Sequence, residues 1–312
     1  MTNMNKTLDI IVPMLNEHEC LDEFLNRVDK LRLTLENKDV SLKVLIVDDG
    51  SGYSFKNLLK EKQSEISFLE ILTLTRNFGH QAAIRAGIDS SVADGVVMID
   101  GDLQDPPELI SEMVDFWLKG ADHVAAIRKS RQKESIIKKK TASAFYKLID
   151  KSTGFKSTKN SGDFKLITRW IVEEIKSINE HNLFIRGFVD WLGGDKKEVF
   201  YDRDPRFAGE KKYKYSQSLK VALNGLVGVS DFFPKFLNKV FVSSIIGVIF
   251  LVAWIFVSLV YYPENLVPGW SSLILTLMVI LVLQTFSFIF ITFYIKKIFD
   301  QTSGKKNYSV MR

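Results

Sequence analysis

The sequence predicts an α/β protein: a doubly wound, mostly parallel sheet with helices on both faces, followed by a hydrophobic helical appendage. Three observations carry this. Short apolar runs alternate with helix-like spacings, the pattern that builds parallel sheets. Acidic residues gather just after several of those runs, where open α/β sheets bind their ligands. The apolar excess is segregated: hydrophobic residues make up 46% and charged residues 25%, with mean hydropathy +0.04, and the surplus lies in the last quarter of the chain.

Leu8–Val12 reads as the first strand, ended by Pro13. A helix of about fifteen residues follows, with Leu21, Phe24, Leu25, Val28 and Leu31 on one face. Leu42–Val47 is a second strand running into Asp48 and Asp49, and Gly50 and Gly52 allow a tight loop there. Phe68–Leu74 is a third, leading through Arg76-Asn77-Phe78-Gly79 to a small-residue helix from about Gln81, whose Ala83, Ala86 and Gly87 permit close packing. Val96–Ile99 is a buried strand, the Pro106–Gly120 segment a helix, and His123–Ile127 a fifth strand. The chain turns basic from Arg128 to Lys140. Asp163–Thr168 is a further strand, Arg169–Ile178 a helix, Leu183–Trp191 an aromatic-rich stretch and Val199–Tyr201 an edge strand.

Asp100, Asp102, Gln104 and Asp105 crowd into the loop after Val96–Ile99. Carboxylates so close repel one another, and hard oxygen ligands at this spacing suit Mg²⁺ or Mn²⁺ shared with substrate phosphates. The same acids also suit a helix N-cap and turn. The lone Cys20 excludes an intrachain disulfide and a cysteine-based zinc site, and on the first helix it reads as a buried, inert thiol. The net charge of +5 is compatible with nucleic acid, a membrane surface or anionic substrates.

The C-terminal quarter carries a different signal. Residues 216–239 have an amphipathic, interfacial pattern. Residues 240–262 and 266–295 are two uncharged stretches of about 23 and 30 residues, each long enough to span a bilayer. Lys235 and Lys239 precede them, Lys296, Lys297, Lys305, Lys306 and Arg312 follow them, and the hairpin between carries no Lys or Arg. The positive-inside rule places both ends and the α/β domain on the cytosolic side. The expected organisation is therefore a catalytic domain over 1–215, interfacial helices over 216–239, a transmembrane hairpin over 240–298 and a basic tail over 299–312.

Four stretches in order, Pro13–Glu17 (PMLNE), Val47–Ser51 (VDDGS), Arg76–Gly79 (RNFG) and Asp100–Pro107 (DGDLQDPP), together resemble the inverting GT-A-fold glycosyltransferases of the polyprenyl-phosphate type. Dolichyl-phosphate mannose synthases and bactoprenol (undecaprenyl-phosphate) glucosyltransferases belong to that group. The later GDFKL and RFAGEKKY segments and the two-span tail extend the likeness over the whole chain. The resemblance implies that Pro13, Asn16, Glu17, Asp48 and Asp49 contact the nucleotide. It implies that Asp100, Asp102 and Gln104 hold the metal and the donor diphosphate, with Arg128, Arg206 and Lys212 adding positive charge to the leaving nucleotide. Asp163 falls at the reacting centre. Arg131 and Lys133 are candidates for the acceptor phosphate, and a solvated or headgroup-facing patch is an equally open reading of them. The implied reaction transfers a hexose, glucose by default, from a UDP-sugar to a polyprenyl phosphate in the bacterial inner membrane. The partners are donor, lipid and membrane, with no nucleic acid and a tetramer by analogy.

Lys165 stands where that group usually has Arg, Tyr53 where an acid is usual, Glu180-His181 where Glu-Arg is usual, and Gly193-Gly194 where an aromatic is common. Other donors (GDP-mannose, UDP-aminoarabinose, a UDP-N-acetylhexosamine) stay open. So does a processive polysaccharide synthase, whose Q-x-x-R-W motif is matched only by Arg169-Trp170.

Overall fold

The structure is a computed structural model; it describes residues 5–129, 161–178, 184–202 and 307–311, together with scattered positions between 243 and 302. It divides into two compact units, one of residues 1–230 with 306–312 and one of residues 231–305.

In the first unit the elements run β1 (Lys6–Met14), α1 (His18–Glu36), β2 (Val40–Asp48), α2 (Tyr53–Glu65), β3 (Leu69–Thr73), α3 (His80–Ser90) and β4 (Gly95–Met98). A 3₁₀ turn (Pro107–Leu109), α4 (Ile110–Leu118), β5 (His123–Arg128), β6 (Ser161–Thr168), α5 (Arg169–Ser177), α6 (Ile185–Leu192) and β7 (Lys196–Tyr201) follow. Among the described residues, seven strands form one sheet in the order β3-β2-β1-β4-β6-β5-β7. The β1–β2, β1–β4, β2–β3 and β5–β7 pairs are parallel, and β6 runs antiparallel to both its neighbours. This is a GT-A-like α/β fold with a mostly parallel sheet.

Strand periodicity explains the layers. Successive side chains point to opposite faces, so Leu8, Ile10 and Val12 pack with α1 and α4 while Ile11 packs with α3 and α5. In β2, Val44 and Ile46 face the first layer, and Leu45 and Val47 the second. The α1 face foreseen from spacing is buried throughout, Cys20 with it. Gly87 of α3 lies so close to β1 that an added Cβ would stand 2.4 Å from Ile11 Cγ2, so only glycine lets this helix settle on the sheet.

Pro13 does not end β1; the strand continues to Met14, paired with β2. On its other side β4 has already stopped at Met98, opposite Ile11. Proline's missing N–H therefore leaves no ladder bond unmade there. The aromatic stretch around Trp191 is the amphipathic helix α6.

The last residues are more than a tail. Val310 bridges Leu74 in antiparallel fashion, Thr75 N donates to Ser309 O at 2.9 Å, and Met311 N donates to Thr73 O at 2.8 Å. Tyr308 donates its hydroxyl to Asp89 at 2.9 Å. This segment covers the β3 edge, which would otherwise expose unpaired backbone.

In the second unit most described positions of the two expected spans are helical, and Ile246, Ile249, Phe250, Phe256 and Val257 among them are exposed. Most of both stretches, like the interfacial segment 216–239, lies outside the described residues, and among the described residues no helix is long and apolar enough to cross a membrane.

Candidate active site

The sheet order reverses direction at the β1–β4 boundary, and a crevice outside the strand ends is expected there. Four loops meet at it. In the first, Asn16 takes a left-handed conformation (φ 52°), its backbone N–H donates to Ser51 Oγ at 2.9 Å, and its Oδ1 accepts from Gly52 N at 2.8 Å. Loops one and two are thereby stapled together. Pro13 is buried in β1, and Glu17 immediately precedes α1.

Asp48 and Asp49 divide their work. Asp48 Oδ1 accepts from Ser51 N at 2.9 Å, whereas its Oδ2 is buried without a hydrogen-bond partner among the described residues. Asp49 takes Phe78 N at 2.7 Å and Gly79 N at 3.0 Å, so it holds the third loop. Burial pushes its carboxyl up, and those two amides pull it back. Gly50 (φ +76°) sits where a Cβ would come within 2.3 Å of the Arg76 carbonyl carbon. Glycine is required for that approach.

The acid cluster follows β4. Burial pushes the Asp100 carboxyl up, and the nearby Asp163, Asp105 and Asp102 carboxylates add to this against the pull of His80. Asp102 is buried and its Oδ1 accepts from Gln104 N at 3.1 Å, while Gln104 itself is half-buried. Among the described residues no three His, Cys, Asp or Glu side chains form a ready cage for a metal. The crowding of Asp100 by acidic neighbours nonetheless fits a divalent cation, and Mg²⁺-type sites commonly take one or two carboxylates and complete the shell with substrate oxygens.

Asp163 arrives from the antiparallel strand. Met98 pairs with Lys165, so the same register carried two residues further sets Asp163 beside Asp100. His80, the first residue of α3, lies between them, its Nε2 3.4 Å from Asp100 Oδ1 and 3.2 Å from Asp163 Oδ2. Burial works against a charge on His80, but Asp100 and Asp163 outweigh it and push its pKa to about 9. Gln81 Nε2 donates to Asp163 Oδ2 at 3.3 Å, and Arg186 Nε is 3.4 Å from Asp163 Oδ1. Burial alone would raise the Asp163 carboxyl, yet Arg186, then His80 and Gln81, hold it well below the usual carboxylate range.

Arg128 adjoins the cluster from β5. Its Nη2 lies 3.3 Å from Asp105 Oδ2, and its Nε donates to the Tyr201 hydroxyl at 3.1 Å. Tyr201 in turn donates to Asp105 Oδ1 at 2.5 Å. Expected to face the donor, Arg128 is engaged here in bracing the acidic loop against β7.

Thus Pro13, Asp48 and Arg128 lie in the last residues of β1, β2 and β5, Asn16, Glu17, Asp49, Asp100, Asp102 and Gln104 follow the ends of β1, β2 and β4, and Asp163 lies near the facing start of β6. Arg131, Lys133, Arg206 and Lys212 lie outside the described residues. The Arg169-Trp170 pair follows the far end of β6, where Thr168 pairs with Gly95 at the start of β4, so it is at the opposite end of the sheet from the acids. His80, Gln81, Arg186 and Tyr201 were not foreseen as site residues, whereas Asp105 was read as part of the acidic cluster. His80 and Gln81 follow the third motif directly, and that adjacency was a usable signal. Arg186, in an aromatic stretch, gave none.

The strand-end crevice thus carries an acidic loop with one aspartate, Asp163, opposed to it from β6. Residues 9–176 match the family described as Glycosyl transferase family 2, and the chain belongs to that family: it is a glycosyltransferase. Among its relatives, the uncharacterized glycosyltransferase YkcC of Bacillus subtilis (strain 168) is 35% identical over 97% of this chain and 93% of its own. The bactoprenol glucosyl transferase of Shigella phage SfX is 32% identical over 97% of this chain and 98% of its own. The structure of glucosyl-3-phosphoglycerate synthase from Mycobacterium tuberculosis in complex with Mn²⁺, UDP-glucose and phosphoglyceric acid aligns with 72% of this chain and 81% of that chain, at 14% identity and a TM-score of 0.45.

Proposed function

We propose that this enzyme transfers a hexose, glucose in the first instance, from a UDP-sugar to a polyprenyl phosphate at the cytosolic face of a bacterial membrane, with inversion at the anomeric carbon. The observation that carries the reading is the placement of Asp163 beside Asp100, with cationic partners around it, at the crevice. Near-full-length likeness to proteins named bactoprenol glucosyl transferase supports the acceptor class.

Asp100 and Asp102, with Gln104, would hold Mg²⁺ or Mn²⁺. When bound, that cation neutralises the diphosphate as the sugar–phosphate bond breaks. The other steps belong to the chain's own residues. Asp49 and the Asn16–Ser51 staple shape the nucleotide crevice. A phosphate monoester has its second pKa near 6, so the acceptor is largely dianionic at pH 7 and needs no strong base. Asp163, held ionised, is a weak base. It suits orienting the acceptor and stabilising the positive charge that develops on the sugar. Arg206 and Lys212 belong to a basic loop that closes over the donor phosphates in this proposal.

Exposed apolar side chains in the second unit support membrane residence. The chain leaves the first unit at 230 and rejoins it at 306, with residues 307–311 paired to its sheet. A segment that departs from and returns to one unit crosses a bilayer an even number of times, in keeping with a two-span hairpin. The test is to incubate membranes containing the protein with a panel of radiolabelled nucleotide sugars and undecaprenyl phosphate. A labelled lipid monophosphate sugar is expected. Label in a long polymer, or no lipid product with any donor, would overturn the reading.

A further inference from the structure

We propose that the returning C-terminal strand is a positioning element of the donor site: residues 308–311 hold the third loop, residues 76–79, by gripping both the strand that enters it and the helix that leaves it. The inference rests on the reading above that Asp49 and the loops around it shape the nucleotide crevice.

The third loop bridges two parts of the site. At its start the Arg76 backbone lies against Gly50, and Asp49 takes the Phe78 and Gly79 amides. At its end Gly79 O accepts from Ala82 N at 3.0 Å and from Ala83 N at 3.1 Å, which begins α3, and His80 there reaches Asp100 and Asp163. The loop is short, so whatever fixes Thr75 on one side and α3 on the other fixes its place.

The chain's end fixes both. Leu74 N donates to Asp48 O at 2.9 Å on the β2 side, while on the outer side Thr75 N donates to Ser309 O at 2.9 Å and Met311 N to Thr73 O at 2.8 Å. Residues 73–75 are thus bonded along both edges, whereas a bare sheet edge leaves its outer N–H and C=O groups unpaired. On the helix, Tyr308 donates its hydroxyl to Asp89 Oδ2 at 2.9 Å. Arg85 Nε holds the other oxygen, Oδ1, at 2.8 Å, and its Nη2 reaches Lys176 O of α5 at 3.2 Å. Burial and then Asp89 push the Tyr308 phenol well above its ordinary value, so it stays the donor of this bond. Asp89 lies near the C-terminal end of α3 and His80 at its start, a rigid arm of about 13 Å at 1.5 Å per residue. A helix clamped at Asp89 therefore presents His80 and Gln81 at a fixed position. Tyr308, Val310 and Phe78 also pack on the apolar cluster that includes Leu74 and Ile84, so strand and loop share one packing surface.

The experiment compares full-length protein in detergent with a variant lacking 307–312 and with Tyr308→Phe. Hydrogen exchange reads the Phe78, Gly79, Ala82 and Ala83 amides, whose bonds go to Asp49 and Gly79 rather than to the C-terminal strand; β1 amides report on the fold as a whole. Calorimetry reads UDP affinity in the presence of Mn²⁺. The deletion should speed exchange of those four amides at least about 10-fold with β1 unchanged. It should weaken UDP binding about fivefold or more, the rise expected when the competent loop falls to about a fifth of the molecules. Tyr308→Phe, which keeps the strand and loses the clamp on α3, should weaken UDP about threefold and act most at Ala82 and Ala83. If the deletion loosens β1 as well, Tyr308→Phe decides alone. A strand that only stabilised the fold would lower kcat by the inactive fraction and leave the UDP Kd of the folded molecules unchanged. Loop amides that keep their protection, or UDP affinity equal to wild type, would overturn the proposal. Wild-type protein that binds another nucleotide in place of UDP would end the UDP-sugar reading, and the same comparison with that nucleotide then decides the strand.

Discussion

Replacing Lys165 by Met tests how strongly the buried Lys165–Asp190 pair ties α6 to β6. Lys165 and Asp190 have side chains 0% and 4% exposed with 2.6 Å between Nζ and Oδ1, so solvent does little to screen them. Burial pulls the Lys165 ammonium below the ordinary lysine range while Asp190 holds it up, as expected when a pair survives only through mutual attraction. Met matches the length of Lys but leaves Asp190 buried without this partner and removes a donor from the Arg186 carbonyl. Breaking a buried pair from one side typically costs about 3–5 kcal/mol. Removing both charges in Lys165→Met with Asp190→Leu should return the protein to within about 2 kcal/mol of wild type, because well-packed apolar replacements of buried pairs are often neutral. The measurement is a urea titration of full-length protein in mild detergent, followed by tryptophan fluorescence, for wild type, both single variants and the double variant. A single-variant cost below about 1 kcal/mol, or a double variant no more stable than the singles, would refute the buried-pair argument.

Other outcomes follow from the same structure. His123 is buried, burial and then the Lys165 charge depress its pKa to about 4, and the unfolded chain takes up a proton near pH 6.5 that the folded chain refuses. Its stability contribution is thus complete above pH 6.5 and falls away by about 3 kcal/mol as pH drops to 4; His123→Leu should flatten unfolding midpoints across that window. Asp102→Asn should lower transfer by at least about 10²-fold, and excess EDTA should abolish it in wild type; full activity in EDTA would sink the metal reading. Deleting 307–312 frees the β3 edge, so the Thr75 amide, bonded to Ser309 O at 2.9 Å, should lose hydrogen-exchange protection while amides of β1 keep theirs.

Local chemistry made much of this protein legible from its sequence. The apolar runs and the α1 stripe act over a few residues, and the strand-end acids and motif loops lie where that reading put them. A strand's direction is another matter. β6 carries the same residue types whether it runs parallel or antiparallel, and only its insertion between β4 and β5 turns its beginning, with Asp163, toward Asp100. The same reversal carries Arg169-Trp170 to the far end of the sheet. Arg186 and Asp163 are separated by a helix and a loop, and no spacing rule links them; packing of α6 on the Lys165–Asp190 pair brings them to 3.4 Å. The return of residues 307–311 to β3 depends on an open strand edge more than two hundred residues earlier, which exists only once the sheet has formed. Periodicity and side-chain type therefore determined which elements form and which loops carry the acids. Pairing direction and burial, properties of the assembled sheet, decided which charges face one another.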